Sequence, residues 1–158
     1  MSTMTPAEQP LRTPSVRDDS LRELEREVGV LIRRIRRVIG VRARAVHEDL
    51  QPSAYLMLSW LVDEGPVRAS AMVDWFNIDK GAVSRQLQQL VDLGLVDRTP
   101  DPGDGRATLV SASTEGVRRL ADVAAGRRRL LDERLSDWSA PELEGFVALL
   151  SRYNAALD

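Results

Sequence analysis

Apolar residues recur along the first third of the chain with the period of an amphipathic α-helix. Their spacing alternates between three and four residues, which is typical of helices that pack lengthwise on another helix. The seam consists of Leu21, Leu24, Val28, Leu31, Ile35 and Val38. Ser20 and Glu23 form a capping-box pattern, so we expect this helix to run from Ser20 to about His47. So long a seam indicates a partner helix; the competing explanation is the core of a three-helix bundle.

Shorter apolar segments follow, and each is bounded by residues that start or stop helices. Pro52 opens a second helix that ends at Gly65, and a short third helix is expected over residues 69–76. Asp79 is placed to cap a fourth helix, which ends near Gly94 because glycine readily adopts the left-handed conformation. The middle of the chain is therefore expected to contain two short helices joined by a tight turn.

Two short β segments flank a stretch that is rich in turn residues. Residues 95–98 and 108–110 have strand character, and the residues between Pro100 and Gly105 predict a hairpin with a long tip. Serine residues at 113 and 139 then cap a fifth and a sixth helix, which reach the end of the chain. The predicted fold class is mainly α with a small β-hairpin wing, a winged helix-turn-helix with additional long helices.

The composition is that of a globular protein, because 43% of the 158 residues are hydrophobic and 29% are charged. No apolar run approaches the ~18 residues that a membrane span requires, so no membrane partner is expected. Residues 1–19 are rich in Pro, Ser and Thr and lack a signal or transit-peptide pattern. We therefore expect a disordered tail over residues 1–19, a single domain over residues 20–158, and a cytoplasmic location.

The chain lacks the residues from which most catalytic and metal centres are built. It has no cysteine, which excludes disulfides, thiolate nucleophiles and zinc–cysteine sites, and its single histidine is His47. No glycine-rich phosphate loop is present, and the acidic residues are dispersed on helical faces. We expect no catalytic residue, no metal site, no cofactor and no enzymatic activity.

The net charge of −2 argues against a nucleic-acid-binding protein, but the charge is unevenly distributed. Residues 20–48 carry eight Arg against four Glu, whereas residues 65–110 carry five basic residues against six Asp. The arginine-rich first helix is either a solvated, ion-paired surface or a track for nucleic acid. The slightly negative balance of residues 65–110 limits the number of phosphates that this segment can neutralise.

The fourth helix carries a face whose side chains suit base-pair edges. If Val83, Leu87 and Leu90 pack inward, the helical period turns a glycine and four polar residues outward and leaves Ser84 on the flank. The outward residues are Gly81, Arg85, Gln88, Gln89 and Asp92. Arginine and glutamine pair bidentately with guanine and adenine in the major groove, and small residues near a helix N-terminus allow close approach to phosphates. An ordinary amphipathic surface helix has the same composition, so this face alone leaves the function open.

Three motifs, in this order, resemble the MarR (multiple-antibiotic-resistance regulator) family of bacterial transcription factors. Residues 79–85 (DKGAVSR) are similar to the start of the family's recognition helix, and residues 90–96 (LVDLGLV) to its exit into the wing. Residues 101–106 (DPGDGR) are similar to the wing signature, and the resemblance extends over about residues 20–157. It implies a homodimer that interlocks through residues 20–48 and 113–158, with a DNA-binding winged region over residues 52–111.

The resemblance also assigns the candidate site residues. Contacts with double-stranded DNA are expected from Arg68, Lys80, Gly81, Ser84, Arg85, Gln88, Gln89, Asp104 and Arg106, and dimer contacts from Leu24, Val28, Leu31 and Ile35. Arg106 is implied as the wing residue that reaches the minor groove or its phosphates, with Asp104 orienting it by ion pairing. The position between these two is often basic in the family but is Gly105 here, so we expect a flexible, less positive tip.

Members of the MarR family often bind small aromatic effectors in a crevice beside the dimer helices. His47 and Trp60 are candidates for such a pocket, although His47 also suits the end of a helix dipole, and Trp60 and Trp75 also suit a hydrophobic core. The sequence thus predicts a ligand-responsive homodimeric repressor that binds a pseudo-palindromic operator. The alternative is a winged-helix protein-interaction module without DNA binding, which the acidic balance of residues 65–110 favours.

Overall fold

The computed structural model describes residues 15–157, and over this range the chain forms six helices and three strands. In chain order these are α1 (Val16–Val46), α2 (Pro52–Glu64), β1 (Val67–Arg68), α3 (Ala69–Phe76), α4 (Lys80–Asp92), β2 (Val96–Asp101), β3 (Asp104–Ala112), α5 (Thr114–Arg134) and α6 (Ala140–Ala155). The predicted fold class is confirmed. The chain divides into two compact units between Gly40 and Val41, inside α1, whereas the sequence predicts one domain from residue 20 onward.

In the first unit, α1 begins ahead of the start that the sequence predicts at Ser20. The amide of Asp18 donates to the Ser15 hydroxyl at 3.2 Å, and the amide of Ser15 donates to the Asp18 carboxylate at 3.1 Å. This reciprocal cap starts the helix at Val16, so Ser20 lies inside it and its hydroxyl donates to the Val16 carbonyl at 3.0 Å. The prediction of a disordered tail is therefore wrong for residues 15–19, since Ser15 caps α1 and residues 16–19 are helical, whereas residues 1–14 lie outside the described residues.

The apolar seam of α1 stays accessible in the single chain. Leu24 is 42% exposed, Leu31 is 46% exposed and Ile35 is 45% exposed, while Val28 is half-buried. Leucine and isoleucine side chains are stabilised by about 1.5–3 kcal/mol each when they are fully removed from water. Packing the seam against a further apolar surface would therefore be strongly stabilising.

The core of the second unit forms where α2, α3 and α4 pack together and against the sheet. Its largest fully buried side chains are Met57, Leu58, Leu61, Met72, Val83, Leu87, Leu90 and Leu95. On α4 the buried residues are spaced four and three apart, so one face of that helix is committed to the core and the opposite face is exposed. No helix among residues 15–157 combines the length and the hydropathy of a membrane span.

The three strands form one antiparallel sheet in the order β1-β3-β2. The two-residue strand β1, which the sequence does not predict, pairs Val67 with Val110 and Arg68 with Leu109. Strands β2 and β3 continue to a tight turn at residues 102–103, so the predicted long tip is wrong. The register changes from Pro100 opposite Thr108 to Asp101 opposite Asp104, which leaves residues 105–107 without partners on β2.

The predicted caps of the two C-terminal helices are confirmed. The Ser113 hydroxyl accepts the amide of Gly116 at 3.0 Å, and it also donates to the Gly94 carbonyl at 2.7 Å, which ties the start of α5 to the end of the α4–β2 turn. At the start of α6, the Ser139 amide donates to the Glu142 carboxylate at 2.7 Å. Although α6 contains many apolar residues, none of its residues is buried.

Candidate DNA-binding surface

Helix α4 is fixed at both ends, so the direction of its exposed face is set. The Asp79 carboxylate accepts the amide of Ala82 at 2.8 Å, as the sequence predicts, and Gly94 follows the helix with a φ of 69°. Four of the candidate DNA-binding residues, Lys80, Gly81, Ser84 and Arg85, occupy the first two turns, and all four are exposed. The structure thus places these four residues close together at the N-terminal end of one helix.

Arg85 folds back over the first turn of α4. Its Nη1 lies 3.4 Å from the position that a β-carbon on residue 81 would occupy, so glycine at this position leaves room for the guanidinium. Over residues 15–157, neither Arg85 nor Lys80 takes part in an ion pair. Two cations therefore stand at the N-terminal end of α4 outside any ion pair of the described residues, beside the Asp79 carboxylate that caps the helix. Uncommitted cations at a helix N-terminus favour an anionic ligand.

The two glutamines that follow on α4 have different environments. Gln88 is exposed, and its amide donates to the Asp92 carboxylate of the same helix at 2.7 Å. Gln89 is half-buried, and its amide donates to the main-chain carbonyl of Asp49 at 2.9 Å while its oxygen accepts the amide of Gln51. The prediction that Gln89 faces outward is wrong, because the connection between α1 and α2 lies over this end of α4.

Arg68 lies on β1, and its guanidinium is directed toward the wing. Its Nε donates to Asp101 Oδ2 at 2.7 Å, its Nη2 lies 2.5 Å from the same oxygen, and Asp104 Oδ2 is 3.8 Å away. Hydrogen bonds from the Gly103 amide and from Arg68 hold the pKa of Asp101 below its usual value, and Asp101 raises the pKa of Arg68. The expected direct contact of Arg68 with DNA thus competes with an existing ion pair. The role of Asp101 was missed, although its Asp-Pro-Gly context is a turn signature.

Asp104 does not pair with the Arg106 side chain as the resemblance implies. Its Oδ1 accepts the main-chain amide of Arg106 at 3.1 Å, and the guanidinium nearest to its carboxylate is that of Arg68. The side chain of Arg106 is exposed and forms no ion pair within the described residues. Residues 105–107 are out of register with β2, so strand pairing does not hold the Arg106 side chain beside the Asp104 carboxylate.

The two residues suggested for an effector pocket have separate partners. His47 follows α1, and its Nδ1 accepts the amide of Asp49 at 3.2 Å. Trp60 packs on Trp75 and Phe76 with ring centroids 5.8 and 5.9 Å apart, and its indole nitrogen is buried without a hydrogen-bond partner among the described residues. Trp75 is 65% exposed, so the prediction that it belongs to the core is wrong.

A cavity of about 290 Å³ lies where α5 meets α6, away from the residues suggested for an effector. Leu131, Leu135, Trp138 and Leu143 form its apolar wall, and Arg128 and Asp132 lie at its edge. No cluster of three or more His, Asp or Glu residues suited to a metal ion occurs in the described part of the chain.

Comparison with known proteins places this geometry in context. The sequence model of the MarR family matches residues 48–107, from the end of α1 to just beyond Arg106. YxaD of Bacillus subtilis, an uncharacterised HTH-type transcriptional regulator, is 34% identical over 108 residues, which cover 68% of this chain and 76% of YxaD. NicR of Pseudomonas putida, an HTH-type transcriptional repressor, is 23% identical over 150 residues, which cover 94% of this chain and 91% of NicR.

The fold also matches a solved protein–DNA complex. The crystal structure of a cysteine-to-serine mutant of MarR from E. coli, complexed with operator DNA, superposes with a TM-score of 0.63. The superposition covers 85% of this chain and 96% of that chain at 21% sequence identity. At this identity the similarity concerns the fold, including the helix pair and the wing.

Proposed function

The chain belongs to the MarR family of winged-helix transcriptional regulators, and from this premise we propose that it is a homodimeric repressor that binds a pseudo-palindromic operator in the cytoplasm. The observation that carries the proposal is the N-terminal end of α4, where Lys80 and Arg85 form no ion pair within residues 15–157 and lie beside the small residues Gly81 and Ser84. A helix end of this kind suits the major groove, where phosphates and base edges are both within reach.

Within this proposal, the residues of α4 and the wing divide the recognition of DNA. Arg85 and Gln88 lie on the exposed face of α4 and read base edges, while Lys80, Gly81 and Ser84 approach the phosphates. Arg106, on the out-of-register segment of β3, contacts the minor groove or its phosphates. Because residues 65–110 carry only five basic residues, each subunit neutralises few phosphates, and binding depends on the simultaneous attachment of two subunits.

The dimer is supported by apolar surfaces that the single chain leaves open. The seam residues Leu24, Leu31 and Ile35 of α1 are exposed, and on α6 Phe146 is 49% exposed and Leu149 is 62% exposed. Long helices with exposed apolar stripes indicate helix–helix association between chains. We assign α1, α5 and α6 to the dimer interface, with Val28 completing the seam.

Two finer features complete the proposal, namely repression and the response to an effector. Repression is supported by the relative NicR, whose name describes a transcriptional repressor. Response to a small aromatic effector near His47 and Trp60 is supported by the buried indole N–H of Trp60, which has no hydrogen-bond partner among residues 15–157. A buried donor without a partner costs about 1–3 kcal/mol, and a ligand acceptor would relieve that cost. Measuring Trp fluorescence while aromatic carboxylates are added tests this feature separately from DNA binding.

Selection of bound duplexes from a random DNA pool tests the central proposal. We expect recovered sequences to share a two-fold symmetric motif whose half-site centres lie about one helical turn, ~10 bp, apart. Failure to enrich any motif, with the protein folded, would favour the protein-interaction module, for which the excess of Asp in residues 65–110 is the supporting observation.

Sedimentation tests the dimer with variants of α1. Replacing Leu31 and Ile35 with aspartate is expected to yield monomers at micromolar concentration, because each charge would be placed in an apolar seam. Replacing Arg33 and Arg37 with aspartate is the matched control, since these exposed residues lie on the opposite face of the helix. A wild-type protein that sediments as a monomer at the same concentration would contradict the proposed interface.

A further inference from the structure

The ion pair between Arg68 and Asp101 joins an edge strand to the turn of the wing. Asp101 is the last residue of β2, and its side chain is 13% exposed, against 48% for Arg68. One carboxylate oxygen, Oδ2, receives the Arg68 guanidinium, and the other, Oδ1, accepts the amide of Gly103 at 2.8 Å. A single carboxylate therefore connects β1 to the turn residue that follows β2.

The same guanidinium also faces the segment that carries Arg106. Asp104 accepts the main-chain amide of Arg106 through Oδ1 and presents Oδ2 to Arg68 at 3.8 Å. Residues 105–107 have no partners on β2, so these side-chain contacts supply part of the order that strand pairing does not. The path from β1 to the main chain of Arg106 runs through two aspartates that converge on one arginine.

The charge of Arg68 is already matched by these two carboxylates. Nε and Nη2 of Arg68 both contact Asp101, so the hydrogen-bonding capacity of this side of the guanidinium is already used. A DNA phosphate would have to displace Asp101 from this two-point contact. We propose that Arg68 is a positioning residue, which holds the turn of the wing through Asp101 so that Arg106 is oriented before DNA arrives. This inference rests on the proposed DNA binding, and it replaces the direct phosphate contact expected from the sequence.

Preorganisation gives this role its energetic effect. The wing contains Gly103 and Gly105, and ordering a flexible segment at the moment of binding opposes association. When Arg68 already holds the wing, binding avoids the free-energy cost of ordering it. A wing without this contact can still present Arg106 to DNA, but it binds with lower affinity.

A double-mutant cycle on DNA affinity distinguishes positioning from contact. Arg68→Ala and Asp101→Asn are each expected to weaken binding to the selected operator by about 3- to 10-fold, and the double variant by no more than either single variant. Direct contact predicts the opposite behaviour of the aspartate, since removing a negative charge near DNA would tighten binding. Tighter binding by Asp101→Asn, or additive losses in the double variant, would overturn the proposal.

Three further measurements exclude a general loss of structure. Arg68→Lys keeps the charge but loses the two-point geometry, so it should resemble Arg68→Ala, whereas a phosphate contact would tolerate lysine. The salt dependence should stay within experimental error of wild type in Arg68→Ala, while loss of a phosphate contact would flatten its slope by about 1. Arg98→Ala, which removes an exposed arginine without an ion pair among the described residues, is the control with unchanged wing geometry.

The geometry itself is measured on the protein without DNA. The ¹⁵N–¹H resonances of Gly103 and Gly105 should shift in Arg68→Ala and Asp101→Asn and remain at wild-type positions in Arg98→Ala. Unchanged glycine resonances in both variants would refute the positioning role even if DNA affinity fell.

If the wild-type protein bound no duplex, the proposed function would be wrong, and so would the positioning role of Arg68 in DNA binding. If instead Arg106→Ala weakened binding while Arg68→Ala and Asp101→Asn did not, the positioning role alone would fail.

Discussion

The side-chain amide of Gln89, near the end of α4, donates a hydrogen bond to the main-chain carbonyl of Asp49 at 2.9 Å. The oxygen of the same side chain accepts the amide of Gln51, so one residue of α4 holds two main-chain groups of the connection between α1 and α2. The helix that carries the proposed base contacts is thereby attached to the segment that follows the long N-terminal helix. Among the described residues, the side chain of Gln88, the preceding residue, forms a hydrogen bond only within α4.

Replacement of these two glutamines should separate stability from DNA recognition. We expect Gln89→Ala to lower the free energy of unfolding by about 1 kcal/mol, because two interactions with exposed main-chain groups are exchanged for water. The sequence preference for DNA should be unchanged in this variant. Gln88→Ala should cost at most about 0.5 kcal/mol of stability, since its bond is an exposed i,i+4 pair, and should alter the preference at one base pair. Urea unfolding and operator affinity, measured on both variants, check this; a reversed pattern would contradict the assignment.

Gly116 gives a second stability prediction, at the start of α5. A β-carbon at this position would overlap the carbonyl oxygen of Leu95 and lie 3.2 Å from Leu58 Cδ1, and a main-chain oxygen fixed in the sheet junction cannot move aside. Gly116→Ala is therefore expected to destabilise the protein by about 2 kcal/mol or more.

Gly126 in the same helix provides the matched control for that substitution. Apart from its chain neighbours and the backbone of its own helix, no described atom lies within 4 Å of a β-carbon at Gly126. Alanine there should therefore stabilise the helix by about 0.4–1 kcal/mol. Thermal unfolding of the two variants side by side measures the difference. Equal transition temperatures would show that Leu95 yields more readily than its hydrogen bonds indicate.

The parts of this fold that the sequence predicts are those decided by neighbouring residues. Asp79 and Ser113 cap their helices as expected because such a cap depends on the side chain of one residue and an amide three positions later. At Ser139 the contact is equally local, since its own amide donates to the Glu142 carboxylate. The apolar periodicity of α4 likewise identifies its buried face. The predicted start of α1 is wrong because the sequence offers two capping boxes. Ser15 and Ser20 are each followed three residues later by an acidic residue, so both fit the same rule.

What the sequence does not predict depends on contacts between distant segments. Strand β1 has two residues, too few for an alternating pattern, and exists because β3 offers Leu109 and Val110 as partners. The ion pair of Arg68 with Asp101 follows from that pairing. The prediction that Gln89 faces outward is wrong for the same reason. A helical wheel shows which way a side chain points but does not show that another segment covers it.

Acid should weaken the ion pairs that Glu115 forms at the start of α5. Hydrogen bonds from Arg118 and Arg119 lower the pKa of Glu115 from 4.5 to about 2. Because the pKa is lower in the folded protein, the ionised form contributes stability above pH 4.5, and this contribution is lost as the pH falls toward 2. Wild type should therefore exceed Glu115→Gln in stability at neutral pH, and the difference should shrink over that interval. Urea unfolding at a series of pH values measures it, with Glu144→Gln as the control; a difference independent of pH would exclude the ion pairs as its source.

Replacing Arg85 or Arg106 with alanine is expected to change DNA binding in different ways. Arg85 lies on the exposed face of α4 and forms no ion pair within the described residues, so we assign it to a base edge in the major groove. Its loss should cost about 1–3 kcal/mol on the preferred sequence and relax the preference at one position of each half-site. Affinity for a scrambled duplex should change much less.

Arg106 lies on the segment of the wing that has no partners on β2, and the minor groove offers little sequence code. Arg106→Ala should therefore weaken binding to the operator and to a scrambled duplex by a similar factor, and should flatten the dependence of affinity on salt, because a phosphate-directed cation is lost. Titration of both duplexes at several salt concentrations, for wild type and the two variants, separates the roles. If Arg85→Ala lowered both affinities equally while Arg106→Ala removed the sequence preference, the roles would be exchanged. If neither substitution altered binding, α4 and the wing would not be the surface that meets DNA, and the exposed apolar helices would become the place to look for a protein partner.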